Sequence, residues 1–141
     1  MLCPPRDPGA SSGPMQSCKT ILVVDDEPAI RESLGDLLRE EGYDVLEAQN
    51  GMEALARLRE PKPEQPCVIV LDLMMPVMDG YEFRAEQLRD QALAGIPVVV
   101  VSADGNVRRK TAAMQVAAAL AKPLQLNAFV AEIERHCKAA A

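Results

Sequence analysis

The stretch Cys67-Val68-Ile69-Val70-Leu71-Asp72 decides how this chain folds. A short, unbroken apolar run reads as a strand buried on both faces, and such strands belong to parallel sheets. Asp72 ends the run, so its carboxylate stands at the strand's carboxyl end, the edge at which open α/β sheets bind ligands. Two further runs repeat the pattern. Ile21-Leu22-Val23-Val24 ends in Asp25-Asp26-Glu27, and Val98-Val99-Val100-Val101 ends in Ser102. Gathering that much carboxylate in one fold is costly unless a cation neutralises it, so the pattern implies a metal.

Helical patterns separate these strands. Ile30, Leu34, Leu37 and Leu38 recur at helical spacing after Pro28, a residue tolerated in a first turn. Asp26 or Glu27 are candidate caps of that helix, and Gly42 is its stop. Residues 43–48 read as a short strand, and Asn50-Gly51 as the turn into a second helix carrying Met52, Leu55 and Leu58. Pro76 and Asp79-Gly80 make a loop before a third helix over about 81–92, expected to bury Phe83 and Leu88. A fourth helix over 106–115 opens on the basic run Arg108-Arg109-Lys110, and a weak strand ends at Ala121. The last helix puts Leu126, Phe129, Val130, Ile133 and Cys137 on one face. Strand and helix thus alternate through the chain, which predicts a parallel sheet covered on both sides by helices with right-handed crossovers. All carboxyl ends then share one edge. Asp25, Asp26, Asp72, Ser102 and Lys122, far apart in sequence, converge there.

The 141 residues, 48% hydrophobic and 26% charged, suit one domain with a sizeable core. The net charge of −6 argues against a nucleic-acid-binding surface. No apolar stretch reaches the ~20 residues that span a bilayer, so no membrane partner is expected. Cys3, Cys18, Cys67 and Cys137 lack metal-site spacing, and nothing resembles a secretory signal. The expectation is a reduced, cytoplasmic protein. Residues 1–17, rich in Pro, Gly and Ser, cannot offset their ordering entropy by burial. They read as a disordered tail ahead of one folded domain over 18–138. Met15 leaves open whether the upstream piece is functional or a start-site artefact.

Several carboxylates, one hydroxyl and one ammonium around a pocket make a hard oxygen site, which suits Mg2+. An aspartate beside such an ion is a competent nucleophile toward phosphorus and would form an aspartyl phosphate. Phosphoryl transfer needs mainly positioning and charge neutralisation. In that chemistry Asp72 is the acceptor, Lys122 and the Ser102 hydroxyl each hold a phosphoryl oxygen, and Asp26 binds the metal, with Asp25 acting directly or through water.

Four motifs now carry a resemblance: Val24-Asp25-Asp26-Glu27, Asp72-Leu73-Met74-Met75-Pro76 with Asp79-Gly80, Ser102-Ala103, and Lys122-Pro123. Each alone is weak, but all four stand in order at strand ends. From about Lys19 to Cys137 the chain resembles the receiver domain of bacterial two-component response regulators, and is similar to the single-domain chemotaxis regulator. The resemblance implies a doubly wound, five-stranded, flavodoxin-like three-layer α/β/α fold and phosphorylation of Asp72 by a sensor histidine kinase or phosphotransfer protein. It also implies a Mg2+ site made by Asp25, Asp26, Asp72 and the backbone carbonyl of Met74, and signalling to a downstream protein target rather than turnover as an enzyme. By the same resemblance the kinase docks near Ala29 and Ile30 of the first helix and the loop after the fifth strand.

The sequence departs from the family in three places. Ala119 occupies the switch position usually held by Tyr or Phe, so the ring rotation that remodels the fourth-helix face has no ring. Gln115 replaces the glycine that often ends the fourth helix, leaving Ala112–Ala121 without a clear helix stop. Nothing follows the last helix, so no DNA-binding domain is expected. Ala119 keeps alternatives open: a phosphorelay shuttle or scaffold without the switch, or a receiver module from a larger hybrid kinase. A phosphatase with an aspartate nucleophile would want an acid at position 74, where Met stands. The bland readings are solvated strand-end carboxylates, helix-capping Asp25 or Asp26, and an ordinary helical His136 near a favourable C-terminal dipole.

Overall fold

The computed structural model describes residues 19–61, 65–103 and 106–140. The expected tail over 1–17, and residue 18 with it, lie outside them. Five strands form one parallel sheet in the order β2-β1-β3-β4-β5. They are β1 (Thr20–Val24), β2 (Asp44–Ala48), β3 (Val68–Asp72), β4 (Val98–Ser102) and β5 (Ala118–Ala121). The helices are α1 (Pro28–Glu40), α2 (Gly51–Arg59), α3 (Gly80–Arg89), α4 (Val107–Lys110) and α5 (Leu126–Ala140). This is the doubly wound arrangement expected from alternating runs.

Strand periodicity sorts the core into two layers. Leu22, Val24, Ile69, Leu71, Val98 and Val100 face Leu55, Leu58, Phe83 and Val107 on α2, α3 and α4. The alternate residues Ile21, Val23, Val68, Val70, Val99 and Val101 face Leu34, Leu38, Phe129 and Ile133 on α1 and α5. All of β3 and β4 is buried, side chain by side chain, as unbroken apolar runs require. Gly42 ends α1 with φ 98°, a conformation natural to glycine.

Several expectations need correction. The third helix stops at Arg89 rather than near residue 92, and Leu88 is exposed while Arg84 and Gln87 are buried. The reason is polar satisfaction: Gln87 Nε2 donates to the Leu93 and Ile96 carbonyls at 2.9 and 3.0 Å, supporting the turn into β4. A complete capping box, Asp79 with Glu82, fixes where α3 starts. Met52 and Leu126, placed on apolar faces by spacing, are more than half exposed. Glu27 is the N-cap of α1 but gives no side-chain cap; Asp25 Oδ1 instead accepts the Glu27 N–H at 2.9 Å.

The fourth helix is shorter than its expected 106–115. Buried Thr111 ends α4 by donating its hydroxyl back to the Val107 carbonyl at 2.8 Å, and a 3-10 turn over Ala112–Met114 follows. Gln115 is itself the stop, at φ 57° in the left-handed region. The Arg84 guanidinium holds it there, donating to Met114 O at 2.9 Å, Gln115 O at 2.7 Å and Gln87 Oε1 at 2.7 Å. Burial pulls the Arg84 pKa below its usual value. The alanine-rich stretch then pairs with β4 from Val99↔Ala118 to Ser102↔Ala121, so the weak strand forms despite poor strand propensity. Cys67 and Cys137 are both buried, and their sulfurs stand 3.3 Å apart, beyond bonding distance of each other.

Candidate metal centre

Parallel pairing brings the predicted residues to one edge. Val24 pairs with Leu71, and Asp72 with Val101, so the ends of β1, β3 and β4 lie side by side. Asp25, Asp26 and Asp72 each offer a carboxylate oxygen, and these atoms lie within 4.8 Å of one another. Asp25 and Asp72 are buried, and Asp26 is half-buried.

Lys122 enters from β5. Its N–H donates to Ser102 O at 2.7 Å, continuing the β4–β5 ladder past the strand end. Its Nζ lies 3.1 Å from Asp25 Oδ2 and 4.0 Å from Asp72 Oδ1. Ser102 ends β4, buried, on the same edge. The Met74 N–H donates to Asp72 Oδ1 at 3.4 Å while its side chain is exposed, so its main chain forms part of the rim. The loop is held against β3 by Gly80: a Cβ there would meet Asp72 O at 2.7 Å and Leu73 Cα at 2.8 Å, so no larger residue fits without movement. Every residue expected on this edge is there.

The electrostatics favour a cation. Burial, and next the Asp25 charge, raise Asp72 from the usual 3.8 to about 6; Lys122 and the Met74 N–H oppose the shift. Among the described residues one ammonium, that of Lys122, reaches this cluster of three carboxylates, which leaves the donor set under-neutralised. Hard oxygen donors in that number fit Mg2+. Asp25 is not merely a cap: one of its oxygens takes the Glu27 N–H and the other faces Lys122. His136 Nε2 lies 3.5 Å from Glu132 Oε1, a neighbour one turn away on its own helix.

Beside the cluster lies a largely apolar groove of about 610 Å3, lined by Ala29, Ile30, Pro123, Leu124 and Leu126, with Lys122 at its edge. Two residues not expected at this edge are Arg31 and Glu47: Arg31 donates both to Glu47 Oε1 at 3.1 Å and to the Asp25 carbonyl at 2.7 Å. For Arg31 the signal was a cation one helical turn past the acidic pair. Glu47 is found only through the β1–β2 register, Val23↔Glu47.

Comparison with known proteins places the chain in a family. The family model described as response regulator receiver domain matches residues 21–134. The chain is 36% identical over 118 residues to the phosphate regulon transcriptional regulatory protein PhoB of Pseudomonas aeruginosa, covering 82% of this chain and 50% of that protein. It is 38% identical over 128 residues to the alkaline phosphatase synthesis transcriptional regulatory protein PhoP of Bacillus subtilis, covering 87% and 51%. The chain thus spans about half the length of these curated relatives. Among solved structures, the receiver domain of a Syntrophus aciditrophicus histidine kinase superposes with a TM-score of 0.77 at 27% identity, covering 86% of this chain and 92% of that one. The Thermotoga maritima response regulator TrrA, in complex with Mg2+ and BeF, gives 0.73 at 29% identity, covering 84% and 98%. Among the described residues no helix is long and apolar enough to cross a membrane. The chain belongs to the response regulator receiver domain family, and its role is that of a phosphoacceptor in two-component signalling.

Proposed function

We propose that Asp72 is the phosphoacceptor and that Asp25, Asp26, Asp72 and the Met74 carbonyl hold Mg2+ for the transfer. A carboxylate oxygen of Asp72 attacks phosphorus on a phosphohistidine donor; the P–N bond breaks, and the imidazole nitrogen leaves with the electron pair and is protonated from solvent. The product is an acyl phosphate on Asp72. Bound Mg2+ would neutralise charge on a phosphoryl oxygen. Lys122 leaves Asp25 to neutralise a second oxygen, and the Ser102 hydroxyl donates to a third. The single observation that carries this reading is the meeting of three carboxylates within 4.8 Å beside the Lys122 ammonium. Hydrolysis of the acyl phosphate by the domain itself is the only turnover expected.

The donor is a histidine kinase or phosphotransfer protein in the cytoplasm, docking an apolar surface in the groove by Ala29, Ile30 and Leu124. The receiver then acts through a protein target. A second reading is favoured by Ala119, half-buried in β5, and by the four-residue α4. With no aromatic side chain at 119, phosphorylation changes the pocket alone and the domain serves as a shuttle or scaffold, or as a module of a larger hybrid kinase. Amide spectra with and without beryllofluoride separate the two: shifts confined to the pocket support the shuttle, and shifts spreading over α4 and β5 support a switch. The main reading is tested with acetyl phosphate and Mg2+. Wild type takes up label and Asp72→Asn does not; intact wild type that stays unlabelled by this donor and by cognate kinases contradicts it.

A further inference from the structure

Asp25 is fixed at every polar atom. Its N–H donates to Ala48 O at 3.1 Å, Oδ1 accepts from the Glu27 N–H at 2.9 Å, and Oδ2 faces Lys122 Nζ at 3.1 Å. The remaining acceptor, its carbonyl, takes a 2.7 Å hydrogen bond from Arg31 Nη1. Arg31 Nε simultaneously donates to Glu47 Oε1 at 3.1 Å, with the Arg31 side chain only 16% exposed. Glu47 is itself held by Arg39 Nη2 at 3.4 Å. A planar guanidinium that spans two acceptors in a shielded setting makes a stiff strut. None of the phosphoryl chemistry above uses Arg31.

We propose that Arg31 is a positioning residue for the acidic cluster: it ties the Asp25 carbonyl to Glu47 of the edge strand β2, so that the Asp25–Asp26 peptide keeps both carboxylates turned toward Asp72. The strut is anchored at both ends. The Arg31 N–H bonds Glu27 O at 2.9 Å in the first turn of α1, and Glu47 sits opposite Val23 in the β1–β2 ladder. Without it the Asp25–Asp26 peptide plane rotates, Asp26 leaves the cluster, and divalent binding weakens. This inference rests on the Mg2+ reading of the site.

Charge and position pull in opposite directions here, which makes the test decisive. Arg31 places a positive charge beside a cation site, so if charge alone mattered, Arg31→Met would tighten Mg2+ binding. Positioning requires the reverse, a loss of about tenfold, as supporting residues around metal ligands typically show. Arg31→Lys keeps the charge and loses the planar fork; charge alone leaves affinity unchanged, whereas positioning predicts a loss of about threefold or more. Mg2+ affinity of the full chain is read by calorimetric titration without any phosphodonor, and thermal unfolding checks that each variant is folded. Should Arg31→Met not fold, Arg31→Lys decides alone. Weaker binding in the folded variants supports the strut; equal or tighter binding overturns it. Wild type that binds no Mg2+ overturns the parent reading of the site and the strut with it, an outcome distinct from equal binding by wild type and variants.

Discussion

Lys122 Nζ stands 3.1 Å from Asp25 Oδ2 but 4.0 Å from Asp72 Oδ1, so the ammonium sits on the metal-ligand candidate rather than on the acceptor candidate. The two cations therefore compete for Asp25. Lys122→Met should tighten Mg2+ binding by roughly 1 kcal/mol, about fivefold, and slow phospho-labelling at saturating Mg2+. Titration calorimetry and labelling rates check both halves; weaker Mg2+ binding in the variant would show that Lys122 supports the site instead.

Asp72 gives a pH signature. Its folded pKa is about 6 against 3.8 as the usual value, chiefly through burial. The folded state therefore holds its proton more tightly than the unfolded chain. Between pH 4 and 6 the unfolded state has fewer protons bound, so this group's contribution to stability falls as pH rises. Asp72→Asn removes that loss. Without metal, the variant should gain stability over wild type across pH 4–6, reaching on the order of 2–3 kcal/mol near pH 7 and little below pH 4. Added Mg2+ should narrow the gap. Denaturant unfolding at several pH values measures it, and a gap that is flat with pH contradicts the shift.

Gly80 tests the loop that carries Met74. A Cβ at residue 80 would approach Asp72 O to 2.7 Å, and backbone cannot give way cheaply. Gly80→Ala should cost about 1–3 kcal/mol and weaken Mg2+ binding, because the end of β3 must move. Unchanged Mg2+ affinity would mean that the close contact is absorbed without disturbing Asp72.

Gln115 and Arg84 form a matched pair of tests. Gln115→Gly suits φ 57° and should stabilise by up to about 1 kcal/mol. Arg84→Met strands the Met114 and Gln115 carbonyls and Gln87 Oε1, and should destabilise by about 2–4 kcal/mol. Urea unfolding of both variants checks the signs.

Where burial and strand ends controlled the outcome, the sequence was readable. The runs ending at Val24, Asp72 and Ser102 are apolar enough to belong in a sheet interior, and parallel topology alone then gathers Asp25, Asp26, Asp72, Ser102 and Lys122. What escaped depended on side chains reaching across the chain. Arg84 contacts Met114 and Gln115 from a helix 30 residues away, and so supplies a helix stop where no glycine stands. Leu88 was expected inside by its apolar character, but Gln87 holds the buried position because two carbonyls need its amide. Arg31 and Glu47 meet only because β2 lies beside β1, a pairing that local periodicity does not encode.

The most direct measurement is the position of the acyl phosphate itself. After incubation with acetyl phosphate and Mg2+, borohydride reduction converts a phosphorylated aspartate to a stable alcohol that peptide mass spectrometry locates. Reduction is expected at Asp72 alone, and nowhere in Asp72→Asn. A reduced residue at Asp25, at Asp26 or elsewhere in the wild type, with Asp72 intact, contradicts the assignment.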